Sequence, residues 1–207
     1  MTTSAHRWTL VVPVKAGPAA KSRLAYAARP ALAEAMVTDT LWAAIASPKV
    51  ERIILVTSDP SLFQRLTAGF EPDTVTLVTD PGGGLDAAAA EGVRIAQERS
   101  SHVAVLLGDH PSLRPGELDL ALDGAAPHAT AFIPDAEGSG TAMATTTIPG
   151  ALATAFGPGS AARHQALGME RLDIDAPGLR QDVDDLTDLD RALDIGVGER
   201  TRGALRS

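Results

Sequence analysis

Length, composition and charge already limit what this chain can be. Its 207 residues suffice for one sizeable hydrophobic core, so we expect a single domain over residues 1–207. A formal net charge of -8 and an aromatic content of 3% argue against a nucleic-acid partner, and the absence of cysteine excludes disulfides, thiolate metal ligands and a cysteine nucleophile. No signal-type start and no apolar run of membrane-spanning length occurs, so we expect a soluble, cytoplasmic protein with no membrane partner.

Apolar segments that alternate with helical patterns predict an α/β fold built on a mostly parallel sheet. The predicted strands are 9–14, 52–57, 74–78, 102–107 and 129–133, and residues 129–146 look like two strands around a polar loop. The predicted helices are 31–46, 61–66, 85–99, 115–122, 160–167 and 185–195. Residues of about 8–195 would form the core, and residues 197–207 would form a frayed C-terminal tail.

The first predicted strand opens into a loop that carries three cations, Lys15, Lys21 and Arg23. Arginine binds phosphate oxygens through its planar fork, and lysine binds them as a point charge. The loop contains neither a Walker A motif nor a dinucleotide fingerprint. A solvated basic loop is the alternative interpretation, but three clustered cations in an acidic protein favour a polyphosphate site.

Two acidic clusters predict a metal site. Asp109 follows the predicted strand 102–107, at the sheet edge where open α/β sheets bind ligands. Far downstream, an extended Asp182-Val183-Asp184 segment would put both carboxylates on one face. Three converging carboxylates would repel one another without a cation, and oxygen-only ligands suit Mg²⁺ or Mn²⁺. The alternative is that Asp109 caps a turn before Pro111 and that the 182–185 segment caps a helix.

A glycine-rich loop follows the third predicted strand. Gly82, Gly83 and Gly84 precede Leu85 at the start of a predicted helix, and they would let a flat ligand approach the backbone. Asp86 could cap that helix or accept N–H groups of a base. A plain flexible turn is the alternative interpretation.

A second glycine-containing loop leads into the predicted helix 160–167. Ser160 is a good N-cap residue, and we expect the helix N-terminus, together with Arg163, to bind an anion. Ser160 and His164 are four residues apart, but no acid completes a hydrolase triad. His164 is expected to be a capping or surface residue.

In chain order, these motifs resemble those of the guanylyltransferases of deazaflavin coenzyme (factor 420) biosynthesis, which act on phosphoenolpyruvate or 2-phospho-L-lactate. The resemblance covers about residues 8–195 and includes Gly138-x-Gly-Thr141 and Phe-Gly157-x-x-Ser160-x-x-x-His164. It implies a single-domain, Rossmann-like nucleotidyltransferase fold with helices on both faces of the sheet. The substrates implied are GTP and phosphoenolpyruvate.

The resemblance also implies a role for each group of residues. It implies that Mg²⁺ binds to Asp109, Asp182 and Asp184, and that the GTP phosphates bind to Lys15, Lys21 and Arg23. These three cations and Asp109 would be the catalytic groups. Guanine would lie near Gly82, Gly83, Gly84 and Leu85, and the phosphorylated acid would lie near Thr141, Gly157 and Ser160. The chain departs from its relatives at Asp86, where they usually have Asn, and at Ala142, where they often have Thr or Asn.

Other functions share parts of this pattern. They are transfer of a nucleotide to a sugar phosphate or to molybdopterin, glycosyl transfer at an Asp-x-Asp metal site, and regulation by a bound nucleotide without turnover. A cationic loop at Lys15–Arg23 favours a pyrophosphate leaving group, and three metal carboxylates favour catalysis over regulation. The sequence does not indicate an oligomeric state.

Overall fold

The computed structural model describes residues 7–14 and 29–206, which contain one seven-stranded sheet. The strands are β1 (Trp8–Pro13), β2 (Val50–Thr57), β3 (Val75–Thr79), β4 (Val103–Leu106), β5 (Thr130–Pro134), β6 (Thr141–Thr146) and β7 (Glu170–Arg171). Their order is β3-β2-β1-β4-β6-β5-β7. β1 to β4 are parallel, β6 is antiparallel to both β4 and β5, and β7 is parallel to β5. The prediction of a mostly parallel sheet is confirmed.

Eight helices occupy the described part of the chain. They are α1 (Arg29–Ile45), α2 (Pro60–Leu66), α3 (Leu85–Ala96), α4 (Pro115–Ala125), α5 (Ser160–Ala166), α6 (Pro177–Arg180), α7 (Leu186–Ile195) and α8 (Glu199–Ala204). All six predicted helices are present, with ends that differ by up to three residues. None of the helices in the described ranges is long and apolar enough to cross a membrane.

The sheet is covered by helices on both faces, as predicted, because side chains alternate along its buried strands. Leu10 and Val12 of β1 pack in one core with residues of α1, α2 and α4. Val11 points to the opposite core, where it packs with residues of α3 and α5. A strand whose side chains are buried on both faces is a continuous apolar run, which is the pattern of residues 8–14.

The prediction of a frayed tail at residues 197–207 is wrong, because α8 forms there and packs against the domain. The Asp39 carboxylate accepts the N–H groups of Arg200 and Thr201 at 3.1 and 2.8 Å, and so caps the helix. Val197 is buried in a small core with α1 and α7. Asp39 lies about 160 residues before α8 in the sequence, so no local sequence pattern predicts this cap.

The strand order creates a topological switch point beside β1. From β1 the chain moves outward through β2 and β3, and then it returns to place β4 on the other side of β1. In open α/β sheets, ligands bind at the carboxyl edge of the strands at such a point. Asp109, three residues beyond the end of β4, lies at this edge.

Candidate active site

The two acidic clusters meet at the carboxyl edge of the sheet. One carboxylate oxygen each from Asp109, Asp182 and Asp184 lies within 4.8 Å of the other two. The N–H group of Val183 donates to the backbone carbonyl of Asp109 at 3.1 Å, which ties the downstream segment to the end of β4. Val183 is buried, whereas its two acidic neighbours are half-buried and exposed. Three convergent oxygen donors can hold a divalent cation.

Within the 182–185 segment, the helix-capping role belongs to Asp185. The Asp185 carboxylate accepts the N–H groups of Thr187 and Asp188 at 2.8 and 3.0 Å, so Asp185 is the N-cap of α7. The Asp188 carboxylate in turn accepts the N–H groups of Asp184 and Asp185. Because Asp185 and Asp188 cap the helix, the carboxylates of Asp182 and Asp184 are not needed for capping.

A cavity of about 830 Å³ opens over this cluster. Its lining includes these residues of the predicted site: Asp109, Asp182, Asp184, Thr141, Gly157, Ser160 and Leu85. Gly82, Gly83 and Gly84 do not line the cavity; they are exposed and have φ values of 80, 91 and 100°. The predicted phosphate-binding residues Lys15, Lys21 and Arg23 lie outside the described residues. A cavity of this size is typical of small-molecule sites.

The described wall of the cavity is strongly acidic. Seven carboxylates line it, from Glu34, Asp59, Asp109, Asp135, Glu137, Asp182 and Asp184. Among the described lining residues, the only cationic side chain is Arg65, whose guanidinium makes a bidentate pair with Glu34 at 2.8 and 3.0 Å. An anionic ligand in this cavity therefore needs additional positive charge, because the carboxylates would otherwise repel it.

Three polar side chains form a buried cluster at one side of the cavity. The Ser160 hydroxyl lies 3.1 Å from Thr141 Oγ1, which lies 2.8 Å from His164 Nδ1. The backbone N–H of Ala155 donates to His164 Nε2 at 2.9 Å. Burial lowers the pKa of His164, and nearby Asp86 opposes this effect in part. The prediction of a capping or surface histidine is therefore wrong.

The predicted N-cap of α5 is also corrected. Gly159, with φ of 71°, is the N-cap, and Ser160 is the first helical residue. The N–H groups of Ser160 and Ala161 donate to nearby carbonyl oxygens at 3.0 and 3.1 Å. The Arg163 guanidinium donates to carbonyl oxygens in the 155–158 segment. These donors hold the loop in shape, so the N–H groups of Ser160 and Ala161 and the Arg163 guanidinium are already engaged within the protein.

Asp86 neither caps α3 nor belongs to the cavity wall. Gly84 is the N-cap residue of that helix, and Asp86 Oδ1 instead accepts the N–H group of Phe156 at 2.9 Å. This bond joins the start of α3 to the loop before α5. A contact between residues 70 positions apart has no local sequence signal.

The loop between β5 and β6 contributes two acidic lining residues that the sequence motifs did not include. Asp135 and Glu137 line the cavity beside Ser139 and Gly140, which belong to the Gly138-x-Gly-Thr141 motif. The Asp135 carboxylate accepts the N–H groups of Ser139 and Gly140 at 3.0 and 2.8 Å, which closes the loop on itself. An acidic residue ahead of a Gly-x-Gly turn between two strands was the available signal.

Comparison with solved structures identifies the fold. A protein from Desulfovibrio desulfuricans G20, described as a nucleotide-diphospho-sugar transferase, superposes with a TM-score of 0.71 and 16% identity. The match includes 97% of this chain and 94% of that protein. A nucleotidyl transferase of Methanothermobacter covers 97%, over 98% of its own chain, with a TM-score of 0.64 and 19% identity. The chain thus has the nucleotidyltransferase fold, as predicted.

Comparison with characterised sequences is more specific, although no protein-family model matches. The chain is 46% identical to the phosphoenolpyruvate guanylyltransferase of Streptomyces coelicolor over 94% of each protein. It is 44% identical to the Streptomyces scabiei enzyme of the same name, over 96% of this chain and 95% of the relative. The chain belongs to the phosphoenolpyruvate guanylyltransferase family.

Proposed function

We propose that the protein transfers GMP from GTP to the phosphate of phosphoenolpyruvate and releases pyrophosphate. The observation that carries the proposal is the cluster of Asp109, Asp182 and Asp184 within the cavity, in a chain that is 44–46% identical to phosphoenolpyruvate guanylyltransferases over nearly its whole length. The assignment to deazaflavin coenzyme biosynthesis rests on the motif resemblance alone and belongs to the same proposal.

The reaction needs little acid–base chemistry from the protein. An oxygen of the acceptor phosphate attacks the α-phosphorus of GTP, and the bond from that phosphorus to the bridging oxygen of pyrophosphate breaks. The attacking phosphate is already ionised at neutral pH, so no strong general base is required. What the protein must supply is orientation and compensation of negative charge.

The donor set of the acidic cluster fits Mg²⁺, with Mn²⁺ as a second metal of suitable character. Its three ligand atoms are all carboxylate oxygens, which hard divalent cations prefer. A bound divalent cation would reduce the repulsion between the two phosphates and stabilise the charge that develops during transfer. Asp109, Asp182 and Asp184 would hold this ion at the carboxyl edge of β4.

The two substrates would occupy opposite sides of the acidic cluster. Guanine would lie near the loop of Gly82, Gly83, Gly84 and Leu85, where only Leu85 lines the described cavity. Phosphoenolpyruvate would lie near Thr141, Gly157 and Ser160, whose hydroxyl groups and backbone face the cavity without added bulk. Lys15, Lys21 and Arg23 would bind the leaving pyrophosphate, which the acidic wall described above does not attract.

A pyrophosphate-release assay tests the function. GTP, ATP, CTP and UTP are each combined with phosphoenolpyruvate, 2-phospho-L-lactate, 3-phospho-D-glycerate and a sugar phosphate, with Mg²⁺ or with excess EDTA. We expect the highest kcat/KM for GTP with phosphoenolpyruvate and no turnover in EDTA. Equal use of all four nucleotides contradicts the assignment of guanine, and turnover only with the sugar phosphate contradicts the assignment of the acceptor.

A further inference from the structure

A buried histidine behind the proposed acceptor subsite has a defined tautomer. His164 has no exposed surface, and its Nε2 accepts the N–H group of Ala155 at 2.9 Å. A ring nitrogen that accepts a hydrogen bond carries no proton, so the proton of the neutral ring lies on Nδ1. The neighbouring rings of Phe132 and Phe156, with centroids 5.7 and 5.2 Å away, surround the imidazole with apolar surface.

This tautomer gives the hydrogen bonds of Thr141 a direction. The protonated Nδ1 donates to Thr141 Oγ1 at 2.8 Å, and the Ser160 hydroxyl donates to the same oxygen at 3.1 Å. A hydroxyl oxygen has two acceptor sites and one hydrogen. Both acceptor sites of Thr141 are then occupied, so its own hydrogen must point to another group, and Thr141 lines the cavity.

One hydroxyl hydrogen of the pair is still left for a ligand if Thr141 and Ser160 exchange the roles of donor and acceptor. When Thr141 donates to Ser160, the hydrogen of Ser160 is the one left for the cavity, which Ser160 also lines. With the other tautomer, His164 Nδ1 would accept from Thr141, and Thr141 would accept from Ser160. No hydroxyl hydrogen of the pair would then remain for a ligand.

We propose that His164 is a positioning residue that makes the Thr141–Ser160 pair a fixed hydrogen-bond donor to an anionic oxygen of the acceptor. The backbone N–H of Ala155 sets the arrangement, because it fixes the ring tautomer. With both acceptor sites of its oxygen filled, the Thr141 hydroxyl can only donate to a ligand, which favours a carboxylate or phosphate oxygen over a group that must itself donate. The inference deepens the proposed function and rests on it for the identity of the acceptor.

The tautomer is measured directly by two-bond ¹H–¹⁵N correlation spectra of the histidine rings in the substrate-free protein. The chain has five histidines, so the His164 signals are assigned by their loss in His164→Gln. We expect the proton on Nδ1 and an unprotonated Nε2 at neutral pH. A proton on Nε2, or on both nitrogens, overturns the inference.

Two conservative variants separate positioning of Thr141 from anchoring of the loop. Asparagine places an amide nitrogen near the position of Nδ1 and retains the donor to Thr141. Glutamine places an amide oxygen near the position of Nε2 and retains the acceptor for Ala155. We expect His164→Gln to raise the KM for phosphoenolpyruvate by about tenfold and His164→Asn by less than about threefold, with the KM for GTP unchanged in both. The reverse order means that His164 only anchors the loop.

A double-mutant cycle tests whether His164 acts through Thr141. In a Thr141→Val background, His164→Gln should change the KM for phosphoenolpyruvate by less than about twofold, because the hydroxyl that it orients is gone. Independent, multiplying effects overturn the inference. His128→Gln, which changes a histidine outside the cavity lining, should behave as the wild type.

The outcomes distinguish this inference from the proposed function. If the wild type releases no pyrophosphate from GTP with phosphoenolpyruvate, the proposed function fails, whereas the tautomer measurement still decides the state of His164. If a variant at position 164 does not fold, as judged by circular dichroism, the tautomer of the wild-type protein remains decisive.

Discussion

Replacing one carboxylate of the acidic cluster by an amide should weaken metal binding and turnover together. One oxygen each of Asp109, Asp182 and Asp184 lies within 4.8 Å of the other two, so a single ion can contact all three. Asp182→Asn keeps the shape of the side chain and removes one of the three negative charges. A neutral amide oxygen attracts a hard divalent cation less strongly than a carboxylate does.

Bound metal should therefore stabilise the wild type more than the variant. A ligand present at a hundred times its dissociation constant stabilises the folded state by about 2.7 kcal/mol, which for a chain of this size raises Tm by roughly 5 to 10 °C. The wild type should show this gain with Mg²⁺ or Mn²⁺, and Asp182→Asn should show less than about half of it.

Thermal unfolding with and without metal measures the gain in Tm, and turnover is recorded on the same samples. Asp190→Asn is the matched control, since Asp190 is exposed on α7 and does not line the cavity. The control should retain the metal-dependent gain in Tm. Turnover of Asp182→Asn should fall by about a hundredfold or more. An equal gain in Tm from metal in the wild type and in Asp182→Asn would show that Asp182 does not hold the ion.

Three further outcomes are expected. Ser160→Ala should raise the KM for phosphoenolpyruvate by roughly fivefold, as expected for about 1 kcal/mol, without changing GTP affinity measured by calorimetry; a loss of GTP affinity alone would assign this loop to the nucleotide. Gly92→Ala should lower the free energy of unfolding in urea by about 1–3 kcal/mol, because its Cβ would overlap two valine side chains of the sheet, whereas Gly116→Ala, with no atom within 4 Å, should not. Because burial holds the pKa of His164 below its ordinary value of 6.5, the unfolded chain binds more protons there, so stability should fall as pH drops below about 6.5. This loss of stability at low pH should be smaller in His164→Gln. Equal pH dependence of the free energy of unfolding in the two proteins would contradict this prediction.

The sequence predicted the parts of the fold that depend on local pattern. Strands buried on both faces appear as continuous apolar runs, so β1 and β4 were recognisable from composition alone. The position of Asp109 followed from the rule that ligands bind at the carboxyl edge of the sheet. Alternation of Asp182 and Asp184 about a buried Val183 gave the second half of the cluster.

Contacts between distant parts of the chain could not be predicted in this way. The cap of α8 comes from Asp39, and Asp86 holds the backbone of Phe156, so neither partner is visible in a local window. Serine is a common N-cap residue, but Gly159, in the left-handed conformation, is the N-cap of α5. The Ser160 hydroxyl instead donates to Thr141. His164 was assigned to the surface because a lone polar residue reveals nothing about the aromatic rings that enclose it in the fold.

The identity of the product decides whether this protein transfers GMP to phosphoenolpyruvate. The wild-type protein is incubated with GTP, phosphoenolpyruvate and Mg²⁺, and the mixture is followed by ³¹P NMR and mass spectrometry. We expect two coupled phosphorus signals of a new diphosphate that joins GMP to the phosphate of phosphoenolpyruvate, with one pyrophosphate released for each molecule formed. GDP and inorganic phosphate as the only products, or a GTP spectrum that does not change when phosphoenolpyruvate is added, would contradict it.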